Sequence, residues 1–226
     1  ENPLRSLPSL TALAAQGMTC TRFYSHAWCA PTRESLLRSV SYGDGHGVWP
    51  CGPVVPESLD YSAYNMARMF KEAGYHTAHI GKWHLGVPAD GTDWKEAIHS
   101  FGFDDTIDAF HVECEAPTGT GMPTLTNGVI TLSPRSQLSA KLRDDFLSWW
   151  AATPSPRFAV VNFEAAHNPW NYPAPAILPD GYPRPLPGTN RERYEAELVG
   201  MDMAIGGCLA VLGEEDWRFV IGDNGT

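Results

Sequence analysis

The chain contains no apolar stretch of about eighteen residues, the length that a membrane-crossing helix needs, so no transmembrane span is encoded. Cysteine is sparse, at 5 in 226 residues, and none of the five falls in the paired spacing of a structural zinc site. Cys20, Cys51, Cys114 and Cys208 therefore read as packing residues or as one or two disulfides. Positive charge is also short: 16 Lys and Arg stand against 26 Asp and Glu, for a formal net charge of -10. That balance argues against a nucleic acid or an anionic membrane as partner. There is no internal repeat and no sign of a second domain.

What is present is ordinary globular composition, 43% hydrophobic and 19% charged, in a chain long enough for one sizeable core. Helical periodicity covers residues 6–16, with Gly17 as a stop, and residues 61–73 before Gly74. Residues 136–152 and 189–212 supply two more helices. Strand-like runs follow each: 19–24, 76–80, 157–163 and the apolar run at 217–221. Alternation of this kind predicts an α/β fold with a mostly parallel sheet sandwiched by helices, its ligands gathered at the carboxyl ends of the strands. Residues 116–132 and the proline-rich stretch 168–188 read as long loops. Trp170, Tyr172 and Tyr182 on the second loop either stack on a sugar or aryl ring or pack down against the protein.

The most specific local feature is Cys29-Ala30-Pro31-Thr32-Arg33, within Ala27-Trp28-Cys29-Ala30-Pro31-Thr32-Arg33-Glu34-Ser35-Leu36-Leu37-Arg38. It resembles the first signature of the formylglycine-dependent (type I) sulfatases of the alkaline phosphatase superfamily. Downstream, Gly74-Tyr75-His76-Thr77-Ala78-His79-Ile80-Gly81-Lys82-Trp83-His84-Leu85-Gly86 resembles the second signature, G-Y-x-T-x-x-I-G-K-W-H-L-G, at every defined position. Glu164-Ala165-Ala166-His167-Asn168-Pro169 is similar to the family's A-P-H-x-P, with Ala166 in place of the proline. Asp223-Asn224-Gly225 resembles its D-N-G. Taken singly, Asp-Asn-Gly is most often a turn, and a lone histidine is most often a polar-core or surface residue. Their order along one chain carries the resemblance. His46, in Gly45-His46-Gly47-Val48, sits where the family has an H-G-V turn and reads as a loop residue.

The chemistry fits those residue types. A sulfate monoester is an anion, and attack at its sulfur calls for a strong nucleophile, charge neutralisation and a proton for the departing alcohol. The resemblance implies that Cys29, oxidised to formylglycine and hydrated, is the nucleophile and a metal ligand. It implies that Arg33 holds the diol and metal-bound oxygens, and that Lys82 binds the sulfate. In the same scheme His84 takes the proton that lets the sulfated intermediate collapse, and His167 is the acid that protonates the leaving alcohol. Asp223 and Asn224 are implied metal ligands, hard oxygen donors suited to Ca2+ or Mg2+. Lys82 and His84, alternating on an extended segment, are expected to point the same way.

The expected activity is therefore hydrolysis of an aryl or carbohydrate sulfate, with a formylglycine-generating maturation enzyme as a further partner. A phosphonate monoester or phosphodiester hydrolase of the same superfamily is the first alternative, and a non-catalytic sulfated-glycan binder the second. By the resemblance, residues 1–226 form one catalytic domain incomplete at both ends, beginning after the family's Asp-Asp strand and stopping before the lysine that follows D-N-G. A start inside a domain would hide any signal peptide. Family relatives act in the periplasm, the lysosome or outside the cell, and that is the expected location. Two departures stand out: Arg38-Ser39 where the family has Thr-Gly, and Trp28 where a smaller residue is common.

Overall fold

The computed structural model describes residues 6–40, 61–85, 94–110, 122–133, 138–168, 170, 172–173, 178–182 and 188–223. Its elements run α1 (Pro8–Gln16), α2 (Cys29–Arg38), α3 (Met66–Glu72), β1 (His76–Lys82), α4 (Trp94–Phe101), β2 (Asp105–Phe110), β3 (Met122–Thr126), β4 (Val129–Ser133), α5 (Leu138–Ala152), β5 (Arg157–Asn162) and α6 (Asn190–Leu209). Five strands form one sheet in the order β4-β3-β2-β1-β5. The central strand β1 pairs in parallel with both β2 and β5. The β3-β4 hairpin continues the sheet in antiparallel fashion.

The expected helix-covered sheet is present, and the alternation along each strand explains it. On one face Phe158 and Val160 of β5 pack against a cluster that includes Leu37 of α2, Ala67 of α3, Ile98 and Phe101 of α4, and Trp83. On the other face Ala78 and Ile80 of β1 join Ala159 and Val161 of β5 under Leu138, Leu142, Phe146 and Trp149 of α5 and Cys208 of α6. Both faces of the central strand β1 are buried, as a parallel strand requires, while β5 is half-buried along its length. Each large apolar side chain removed from water contributes roughly 1.5–3 kcal/mol.

Side-chain caps set several element ends. Asn65 opens α3 by accepting from the Arg68 backbone N–H at 3.1 Å while its own amide donates to the Phe101 carbonyl at 2.8 Å. Thr189 and Glu192 form a reciprocal capping box at the start of α6. The buried carboxylate of Asp202 accepts the Ser9 and Leu10 backbone N–H groups, both at 2.9 Å, and so pins the first turn of α1 onto α6.

Four sequence expectations are corrected. Part of the expected 116–132 loop is the β3-β4 hairpin, whose tight turn is Asn127-Gly128, both at positive φ. Residues 19–24 and 217–223 are not strands. Trp217 and Phe219 are 87% and 77% exposed, and among the described residues no strand lies beside either run to complete a ladder. Helix α4 and strand β2 were not anticipated, because Asp105, Thr106 and Asp108 break the apolar run expected of a buried strand.

The cysteine alternatives are partly decided. Cys20 is free and exposed, and Cys208 is free and buried in the core, so neither forms a disulfide. Cys51, Cys114 and His46 lie outside the described residues. On the proline-rich stretch, Trp170 packs edge-on against Tyr194 of α6 and donates to the Ala166 carbonyl at 3.1 Å, which is the packed-down arrangement.

Candidate active site

Cys29 is the first residue of α2, and the approach to the helix is built by local hydrogen bonds. The Thr32 hydroxyl donates to the Trp28 carbonyl at 2.9 Å and receives the His26 backbone N–H at 3.1 Å, while the His26 ring meets the Ser35 hydroxyl at 2.9 Å. Pro31 sits in the first turn, where its missing N–H costs no intrahelical bond. Cys29, Ala30, Pro31, Thr32, Arg33 and Glu34 are all buried, so the turn is packed under the protein rather than displayed on it. At the other end Ser39 takes the left-handed conformation, φ 56°, and donates its N–H to the Ser35 carbonyl. Here a serine occupies the cap where the family places glycine.

The second group of residues comes from the end of β1. Gly81 has φ 91°, and a Cβ there would stand 2.4 Å from the Asn162 carbonyl oxygen of β5. Only glycine fits this close approach. Opposite it the β1-β2 register shifts between Ile80 and Lys82, and Asp108 of β2 is at φ 44°. Past the bulge the chain turns again at His84, φ 51°, which ends the simple alternation expected of Lys82 and His84. The two side chains reach different partners.

The His84 ring meets the Cys29 sulfur, with Nδ1 to Sγ 3.0 Å. The Lys82 ammonium is 2% exposed and lies 2.9 Å from Glu164 Oε2 and 3.2 Å from Oε1. Arg33 links the two groups by donating through Nη1 to the Lys82 carbonyl at 2.9 Å and pairing through Nη2 with Asp223 Oδ2 at 2.7 Å. Glu164 lies just beyond β5 and also stands 3.6 Å from His167 Nδ1. His167 Nδ1 is 2.6 Å from the Asn168 carbonyl, which can only accept, so Nδ1 carries a hydrogen and Nε2 is the nitrogen left for exchange.

Six of the seven candidate residues named from the sequence thus fall into one connected cluster at the carboxyl ends of β1 and β5 and the start of α2. They are Cys29, Arg33, Lys82, His84, His167 and Asp223. Asn224 lies outside the described residues. Glu164 belongs to the cluster and was not singled out. Its only sequence signal is a carboxylate at the end of an apolar strand, a place where an unpaired charge would be costly to bury.

Burial pushes the Cys29 thiol above its ordinary pKa; Lys82 and Arg33 pull it down, and Asp223 and Glu164 add to the rise. The sulfur is therefore a protonated thiol at neutral pH and a weak nucleophile as it stands. Among the four fixed charges, Arg33 and Lys82 are balanced by Asp223 and Glu164. Among the described residues no three His, Cys, Asp or Glu side chains come close enough to hold a metal ion. The described donor that suits a hard cation is Asp223 Oδ1, which is buried and has no partner there.

Behind the cluster lies a small cavity lined by Arg33, Leu37, His79, Trp83, Val160 and Asn162. His79 is fully buried, meets the Asn162 side-chain amide at 3.0 Å and stands edge-on to Trp83 at 5.0 Å between ring centres. Burial, with the nearby Arg33 cation adding to it, lowers its pKa to about 3. It is neutral at all ordinary pH values.

The Sulfatase family model matches residues 1–226. An arylsulfatase of Klebsiella aerogenes is 32% identical over 186 residues, covering 74% of this chain and 39% of that protein. An N-acetylgalactosamine-6-O-sulfatase of Bacteroides thetaiotaomicron is 30% identical over 178 residues, covering 72% of this chain and 32% of that protein. This chain therefore spans between about a third and two fifths of the length of these curated relatives. Among solved structures, the PsFucS1 sulfatase from Pseudoalteromonas sp. superposes with a TM-score of 0.64 at 19% identity, covering 90% of this chain and 46% of that one. At that identity the superposition speaks to the fold.

Proposed function

The chain belongs to the sulfatase family, and from that premise we propose that it is the central part of a catalytic domain that hydrolyses an aryl or carbohydrate sulfate to an alcohol and inorganic sulfate. The observation that carries this reading is the buried cluster in which Cys29, Arg33, Lys82 and His84 are held by two short contacts, Cys29 to His84 and Arg33 to the Lys82 carbonyl. A sulfate monoester needs cations around an otherwise buried anion, a nucleophile at its sulfur and a proton source on the far side.

Each residue has a role that its place supports. Arg33 and the first turn of α2 present donors and the positive helix end to an anion beside position 29. Lys82 supplies a desolvated ammonium for the sulfate oxygens, where a charge-assisted bond is strong. His84 touches the side chain at position 29 and is placed to take a proton from it. His167 is a third exposed and presents Nε2 to a departing alcohol. Cys29 is proposed to be converted to formylglycine by a maturation enzyme, which would supply a hydrated aldehyde oxygen as nucleophile in place of a thiol that burial keeps protonated. Asp223 and Asn224 would hold Ca2+ or Mg2+, which would supply positive charge for the sulfate oxygens; the unpartnered Asp223 Oδ1 fits that use. The proposed setting is periplasmic, lysosomal or secreted.

The test is the mass of the tryptic peptide spanning residues 23–33, from protein made in its own host, combined with turnover of paired 4-nitrophenyl sulfate and phosphate esters. The expected result is formylglycine in place of Cys29 and faster hydrolysis of the sulfate ester. An unmodified thiol in protein from its own host, or faster turnover of the phosphate ester, would overturn the proposal.

A further inference from the structure

Glu164 is the one charged member of the cluster to which the proposed reaction gives no task. Its carboxylate is 4% exposed and is held by both oxygens. Oε2 is 2.9 Å from Lys82 Nζ, and Oε1 is 3.2 Å from the same nitrogen and 3.6 Å from His167 Nδ1. The backbone agrees with this placement, because the His167 N–H donates to the Glu164 carbonyl at 2.8 Å and closes the turn after β5. One carboxylate thus holds the residue proposed to bind sulfate, while the His167 ring, whose Nδ1 hydrogen goes to the Asn168 carbonyl, stands beside it without a hydrogen bond.

A buried carboxylate beside an anion-binding ammonium has two opposed effects. It fixes the ammonium in direction, which lowers the entropy cost of reaching the reactive geometry. It also competes for the ammonium and repels any anion that arrives, and the repulsion grows with the charge of that anion. A sulfate ester carries one negative charge and free sulfate two, so the carboxylate penalises product more than substrate. We propose that Glu164 is a positioning residue that aims Lys82 at the sulfate group and, by its charge, speeds release of inorganic sulfate. This rests on the sulfatase reading above.

The test uses Glu164→Gln and Glu164→Asp in the full-length protein, with inorganic sulfate as the probe. Calorimetric titration with sulfate needs no turnover, and kinetics on 4-nitrophenyl sulfate supplies kcat and KM. In Glu164→Gln, sulfate should bind on the order of tenfold more tightly because a like charge has gone. The KM for the monoanionic ester should fall by less, about threefold, because half the charge is involved. At the same time kcat should drop by about tenfold, as Lys82 loses its anchor. A residue that only supported the fold would weaken binding and rate together. In Glu164→Asp the charge returns at a shorter reach, so sulfate affinity should move back toward wild type while kcat stays low. Sulfate binding no tighter in a folded Glu164→Gln, or an unchanged kcat in Glu164→Asp, overturns the inference. Should the wild-type protein fail to hydrolyse the sulfate ester, the sulfatase reading falls, and the calorimetric titration still decides whether Glu164 opposes anion binding.

Discussion

His79 makes the stability of this protein depend on pH in a direction that can be worked out in advance. Its folded-state pKa is about 3, against an ordinary value of 6.5, because the ring is fully buried near the Arg33 cation. The folded state therefore binds that proton less readily than the unfolded chain does. Above pH 6.5 neither state is protonated and the residue adds no pH dependence. As pH falls below 6.5 the unfolded chain takes up the proton first, and stability is lost progressively until pH reaches about 3. At 1.36 kcal/mol per pH unit, the loss between pH 6.5 and pH 4.5 is about 2.7 kcal/mol from this one residue. His79→Gln removes the titration while leaving an acceptor for the Asn162 amide. Urea denaturation of both proteins at pH 7 and at pH 4.5 supplies the comparison. Wild type should lose about 2.7 kcal/mol more than the variant over that interval. Equal losses in the two proteins would refute the argument, since the difference isolates the buried ring.

Two further expectations follow from the site. Gly81→Ala should destabilise the protein by about 2–4 kcal/mol and cut turnover, because its Cβ would meet the Asn162 carbonyl oxygen at a positive φ and displace Lys82; a melting temperature equal to wild type would contradict this. Lys82→Met should abolish measurable turnover and also destabilise by about 3–5 kcal/mol, because Glu164 is left charged and unpaired in a buried site. Adding Glu164→Gln should restore most of the stability and none of the activity; a double variant as unstable as the single one would show that the ion pair is not the cause.

The candidate site was legible to the extent that its chemistry sits in short contiguous segments. Cys29 and Arg33 lie within one helical turn, and Lys82 and His84 within three residues, so local geometry brings each pair close before any tertiary contact forms. Gly81 does not belong to this class, since the close approach that requires it is to the Asn162 carbonyl oxygen of β5. Strands β1 and β5 themselves were also foreseeable, because each is a short run of β-forming residues after a helix.

Other parts depended on distance along the chain. Arg33 and Lys82 are 49 positions apart, and Lys82 and Glu164 are 82; whether they meet is set by the parallel register of β1 and β5. Strand β2 looked too polar to be buried, yet Thr106 and Asp108 are covered because the Asn127 amide and the Thr124 and Thr126 hydroxyls of the hairpin region reach across to hydrogen-bond them or their backbone. The run at 217–221 had the local qualities of a strand and did not become one, since a strand is completed by a neighbour and not by its own side chains.

By itself the sequence determined the α/β class and the family, both of which rest on patterns and motifs of residues a few positions apart. The tertiary structure alone decided that Glu164 is the counter-charge of Lys82 and that His79 must stay neutral. Both follow from burial: a charge or a ring removed from water takes its protonation and its partners from whatever the fold packs against it, and those neighbours come from distant parts of the chain.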